Sequence, residues 1–148
     1  MHRRFVAGLI LSSLAALAGA GCGSDATTTT NPTPTTVTDT FPGTLNQNGA
    51  LTFPFVASTL GTVTVTLTTL TTATADPTVP MGMSLGTWDA AQGFCAVGPV
   101  FSNDTALQGA VITATVSNAA NLCVRAYDPG KAGATAFPIT FSISIVHP

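Results

Sequence analysis

From residue 39 onward the chain alternates apolar and polar positions with a period of two. Val63, Val65 and Leu67 interleave with Thr62, Thr64, Thr66 and Thr68. Ile139, Phe141, Ile143 and Ile145 interleave with Thr140, Ser142 and Ser144, and Leu122, Val124 and Ala126 with Cys123, Arg125 and Tyr127. Successive side chains of a strand point to opposite faces, so each stretch predicts a strand with one buried and one solvated face. Residues 41–45, 51–56, 81–88, 95–101 and 110–116 are further strand candidates. Turn signals separate the segments: Asn48-Gly49, Leu60-Gly61, Asp76-Pro77, Gln92-Gly93, Asn103-Asp104 and Asp128-Pro129-Gly130. Pro54 falls inside a strand and has no N–H to donate, which predicts an edge or a bulge. About eight short strands with no helical period between them predict an all-β domain, an antiparallel β-sandwich or jelly roll.

The N-terminal region breaks this pattern. Arg3 and Arg4 precede an apolar run over residues 5–17, then the small residues Ala18, Gly19, Ala20 and Gly21, then Cys22. Basic start, apolar core and small-residue cleavage site together read as a secretory signal peptide. The cysteine directly after the small residues resembles a bacterial lipobox, although Gly19 stands where such sites usually carry leucine. Two other readings compete: cleavage near Ala20 that leaves Cys22 a free thiol, or an uncleaved anchor. The apolar run is short for a span of about 20 residues and contains Ser12 and Ser13. The expected organisation is a signal peptide over residues 1–21, a lipidated Cys22 that attaches the protein to the membrane, a tether over 22–38 and a folded domain over 39–148. Gly23 stands where an aspartate would retain many lipoproteins in the inner membrane, so the resemblance implies the outer membrane. The tether segment GSDATTTTNPTPTTVT has one charge and no aromatic residue, too little apolar surface to offset chain entropy. Pro32 and Pro34 bias it toward an extended spacer of about 3.1 Å per residue.

Charge and cysteine content narrow the function classes. Only 7% of the chain is charged, and beyond residue 21 the cations are Arg125 and Lys131 against six aspartates. Without a basic patch, nucleic-acid binding lacks its electrostatic footprint. Setting Cys22 aside leaves Cys95 and Cys123, an even pair in an oxidising compartment, and a disulfide is expected between them. A metal pair is the competing reading, but no histidine lies near either cysteine.

Three stretches then resemble a known family. LTFPFVASTLGTVTVTL (51–67), LCVRAYDPG (122–130) and FPITFSISIV (137–146) are similar to the opening, late and closing strands of bacterial pre-peptidase C-terminal domains. The resemblance implies a compact jelly-roll-like sandwich that is non-catalytic, of a kind usually appended to secreted proteases. Some members bind calcium through clustered acids. Asp89, Asn103 and Asp104 are the best candidates for such a cluster here, against the simpler reading that they cap turns.

Candidate chemistry is sparse. The one histidine beyond residue 21 is His147, next to the end of the chain, where a base is poorly placed unless something holds it. No G-x-S-x-G elbow occurs, and no enzyme activity or cofactor is expected. Trp88 and Tyr127 are the only tryptophan and tyrosine. With Arg125 they are the candidate ligand-binding residues. The competing reading packs Trp88 over the Cys95–Cys123 bridge and stacks Arg125 on a ring. The expected function is a non-catalytic, lipid-anchored envelope module with a structural or protein-interaction role. The alternative is a module for polysaccharide or another surface polymer, which requires both rings on one exposed concave face. Assembly through a sheet edge is a third route and requires a long unprotected edge strand.

Overall fold

The structure is a computed structural model that describes residues 35–148. The expected signal peptide, Cys22 and the tether up to residue 34 lie outside the described residues. Eight strands follow in order: β1 Val37–Leu45, β2 Ala50–Ala57, β3 Gly61–Thr71, β4 Met81–Asp89, β5 Phe94–Ala106, β6 Val111–Val116, β7 Ala120–Tyr127 and β8 Ile139–His147. A single 3-10 turn, Ala134–Ala136, precedes β8. Each segment expected to be a strand is one. β1 begins at Val37, two residues before the expected domain boundary, because it pairs along its whole length with β8, from Val37↔His147 to Leu45↔Ile139.

The strands form two antiparallel four-stranded sheets, β1-β8-β3-β6 and β2-β7-β4-β5. The first strand pairs with the last, β2 with β7, β3 with β6 and β4 with β5. The chain is therefore one long antiparallel ribbon rolled over on itself, the jelly-roll arrangement of two packed sheets. The inward positions are the ones the alternation predicts. Val63, Val65 and Leu67 of β3, Met81, Met83 and Leu85 of β4, Leu122, Val124 and Ala126 of β7 and Ile139, Phe141, Ile143 and Ile145 of β8 are buried in one core.

Interruptions in the ladders follow the sequence closely. Pro42 lies in β1 and Pro54 in β2, each the edge strand of its sheet, where a missing N–H costs no ladder bond. In β3 the register against β8 slips between Leu67 and Thr69. One extra residue changes the parity, so the next inward side chain after Leu67 is Leu70. The β4–β5 ladder slips twice. Ser84 pairs with Ser102 and Gly86 with Val97, so the segment 98–101 bulges out opposite Leu85 alone.

Candidate functional site

The candidate residues Trp88, Cys123, Arg125 and Tyr127 converge on the outer face of the second sheet. With Met81, Met83 and Leu85 turned inward, β4 turns Gly82, Ser84, Gly86 and Trp88 outward. Gly82 pairs with Tyr127, Ser84 with Arg125 and Gly86 with Cys123. Directly opposed residues share a face, so the small residues of β4 form a floor beneath the larger side chains of β7. A side chain at Gly82 would collide with the Tyr127 ring, which lies across it.

The sulfurs of Cys95 and Cys123 are at bonding distance, with their Cα atoms 5.9 Å apart. β5 and β7 are not neighbours, because β4 lies between them. Strands two ladder steps apart are ordinarily about 9.5 Å apart. The start of β5 therefore curls over β4 to bring Cys95 to Cys123. Gly86 makes the curl feasible, since any Cβ there would run into the backbone of Ala96.

Tyr127 is the hub of a polar cluster. Its hydroxyl donates a hydrogen bond to Asp104 Oδ1, and the Arg125 guanidinium sits 5.4 Å from its ring centroid. Partial burial, the Asp104 hydrogen bond and the Asp104 charge together push the Tyr127 hydroxyl up to about 12, with Arg125 opposing. The expected stacking of Arg125 on a ring is thus met by Tyr127.

Trp88 is half-buried and pairs with Cys95, on the face that carries the disulfide. It stands six residues along β4 from Gly82, the partner of Tyr127, which at about 3.3 Å per residue is roughly 20 Å. Arg125 and the cysteine bridge occupy the interval. The two rings share a sheet face but form no joint platform.

The calcium candidates are dispersed as well. Asp89 pairs with Phe94 at one end of β4, whereas Asn103 pairs with Met83 near the other. Asp89 Oδ1 accepts the N–H groups of Ala91 and Gln92 at 2.9 and 3.2 Å. Asn103 Oδ1 accepts the N–H and hydroxyl of Thr105, and Asp104 is engaged by Tyr127. The candidate calcium residues Asp89, Asn103 and Asp104 are therefore not brought together; Asp89 and Asn103 serve turns, the simpler of the two readings, and Asp104 serves the Tyr127 cluster. Among the described residues no group of three or more His, Cys, Asp or Glu side chains converges on a metal position.

Two features escape the sequence reading. His147 is only 4% exposed, and its Nε2 lies 3.1 Å from Asp39 Oδ2. Its ring packs against Phe55, 5.1 Å between centroids. Pairing of the first strand with the last holds this histidine near the chain end, and a sequence pattern carries that information only once the topology is known. The second feature is a groove of about 250 Å³ lined by Thr52, Gly93, Phe94, Cys95 and Arg125. The curl of β5 brings Phe94, 57% exposed, toward the edge strand β2. The aromatic ring that lines this groove with Arg125 is Phe94, not Trp88.

A second groove of about 260 Å³ opens between the sheets on the side of β5 and β6. Its walls include Leu85, Leu122 and Phe101 from the second sheet and Ala114, Thr115 and Val116 from the first. No known protein family, curated protein or solved structure matches the chain.

Proposed function

We propose that the protein is a non-catalytic module of the bacterial cell envelope, exported by residues 1–21 and anchored through a lipid on Cys22. Residues 22–38 hold out a sandwich similar to a pre-peptidase C-terminal domain, in a structural or protein-interaction role. The observation that carries this reading is how the carboxylates are used. Asp39, Asp76, Asp89, Asp104 and Asp128 are all the carboxylate side chains among the described residues. Asp39 holds His147, and Asp104 holds Tyr127. Asp76 accepts both the N–H and the hydroxyl of Thr78, which hold its carboxyl below the usual carboxylate range. Asp89 caps the β4–β5 turn, and Asp128 accepts the N–H groups of Asn48 and Gly130, tying two loops together. Acids spent on fixing turns and strands suit a scaffold better than a general acid–base pair, which needs one carboxyl poised with a raised pKa.

The test is the intact mass of the protein extracted from membranes, before and after reduction with thiol alkylation. A diacylglycerol and acyl mass on Cys22, with two thiols appearing only on reduction, is expected. An unmodified Cys22 thiol would overturn the anchor and leave a freely secreted domain.

Trp88 and Tyr127 share no platform, so a polymer-binding alternative rests instead on a different set of residues. The groove beside Arg125 offers a cation, the hydroxyl of Thr52 and an exposed ring, Phe94, a set that suits an acidic sugar. Titration with uronic-acid oligosaccharides should then be weakened by Phe94→Ala and by Arg125→Gln. Equal response of both variants and the parent, or no response at all, removes this alternative.

A further inference from the structure

The four sheet edges are not equally guarded. β1 carries Pro42, β2 carries Pro54, and β5 is broken by the 98–101 bulge, all devices that block edge-to-edge pairing. β6, with the sequence VITATV, has no proline, no charge and no bulge within it. No charged residue occurs anywhere from Thr105 to Val124. Among the described residues β6 pairs only with β3.

The free hydrogen-bonding groups of β6 can be assigned from its ladder. Leu67 of β3 donates its N–H to the Ala110 carbonyl and accepts the N–H of Gly109, so Leu67 directs both backbone groups toward the β6 side. Alternate residues of an antiparallel strand do the same, which puts Val65, Val63 and Gly61 in that class. Their partners Ile112, Ala114 and Val116 are consumed by β3. Val111, Thr113 and Thr115 therefore point their N–H and C=O groups out of the sheet.

These three residues are self-complementary about a two-fold axis. With Thr113 opposite Thr113 of a second copy, Val111 lies opposite Thr115 and Thr115 opposite Val111. Every outward N–H and C=O then finds a partner, and inward residues remain on the inward face. Moving the register by one position sets inward against outward side chains. Moving the axis to Ala114 leaves Val111 without a β6 partner.

We infer that a second copy of this chain is the partner of β6, joined antiparallel about a two-fold axis through Thr113 into one continuous eight-stranded sheet. A six-residue edge alone buries less than the roughly 800 Å² per partner typical of a stable interface. The surroundings supply more. Val100, at 84% the most exposed large apolar side chain among the described residues, together with Phe101, Leu107 and Val111, belongs to β5, β6 and the turn between them. The groove between Phe101 and β6 opens on this same side. The inference rests on the interaction reading of the domain and not on its lipid anchor.

Cysteine cross-linking of the full chain, exported into its own oxidising compartment, tests the register. Paired Thr113 Cα atoms across the axis would lie about 5.5 Å apart, inside the range of a disulfide, so Thr113→Cys should give a covalent dimer on non-reducing electrophoresis. Thr115→Cys should not, because its two copies are offset by about 13 Å along the strands. Sedimentation of the purified full chain should show a concentration-dependent dimer. Thr113→Pro removes an outward N–H that β3 does not use, so it should keep the fold and weaken the dimer at least about tenfold. Monomer at every concentration, equal linking at both cysteine positions, or a dimer indifferent to Thr113→Pro would each overturn the proposal. So would capture of a different protein by Thr113→Cys in place of the homodimer, which would make β6 an acceptor for a foreign strand. The mass on Cys22 reads the anchor separately, so failure of one reading is not mistaken for failure of the other.

Discussion

On the outer face of the first sheet, in-register rows run Thr40, Ser144, Thr66, Val111 and Thr38, Val146, Thr64, Thr113. On the outer face of the second sheet, Gly82, Ser84 and Gly86 lie beneath Tyr127, Arg125 and the Cys95–Cys123 bridge. Both faces come from strands that alternate, yet they are different objects. The first is a water-facing surface mostly of short hydroxyl side chains, of which Thr68 and Thr140 donate to carbonyls across the β3–β8 ladder. The second is a thin extra layer, in which outward residues pack on one another and a strand end curls over the sheet. The comparison predicts that outward substitutions are tolerated on one face and costly on the other.

The largest effect should come from removing the staple of that extra layer. Cys95→Ala with Cys123→Ala opens a loop of 28 residues, which chain entropy values at about 3.5 kcal/mol. Denaturant titration of the double variant should show a loss of this order. A loss below about 1 kcal/mol would mean that the curl of β5 stands without its bridge. Next is Gly86→Val, which drives a side chain into the Ala96 backbone and should cost about 1–3 kcal/mol. Its signature is a slower oxidation of Cys95 with Cys123, since the start of β5 must lift away from β4. A Gly86→Val protein of unchanged stability and thiol content would erase the contrast between the two faces.

Much of this fold was legible in the residues. The period of two in residues 62–68, 122–127 and 139–145 named the inward side chains of β3, β7 and β8, and Pro54 marked one edge. The paired cysteines gave the bridge, because oxidation and even number constrain a partner without geometry. Legibility stopped where a residue's role depends on a strand distant in sequence. Nothing in the sequence singles out Gly82 and Gly86 until Tyr127 and Ala96 are placed over them. Residue type alone leaves open whether Asp89 and Asn103 meet or cap separate turns, and β4 separates them along its length. His147 looked unsupported until the jelly roll paired it with β1.

A smaller effect separates the faces by pH. Tyr127 is the only tyrosine, so the phenolate absorbance of the whole protein reports this one group. Its pKa is raised in the fold from about 10 to about 12, by burial first and then by Asp104. A raised folded value means the neutral form is favoured: the stabilisation is complete below pH 10 and is lost as pH climbs through about 12. The absorbance midpoint should therefore sit near 12, and Asp104→Asn should bring it down. Tyr127→Phe should flatten the part of the loss in melting temperature that falls between pH 10 and 12. A midpoint at the ordinary tyrosine value would place the hydroxyl in water and dissolve the cluster.

The smallest effect is expected on the hydroxyl face, and it is the sharper half of the comparison. Thr62 is exposed, lies opposite Thr115, and stands on β3 inside the first sheet. Thr62→Val keeps the branched shape that suits a strand and exchanges a solvated hydroxyl for a methyl group, so stability should change by no more than about 0.5 kcal/mol. If this face is only solvated surface, the same small number should recur for Thr66→Val, four residues further along β3 on the same face. A loss above about 1 kcal/mol at either position would mean that the hydroxyls are held by something outside the described sheet. The two faces would then differ in what covers them, and no longer in whether they are covered.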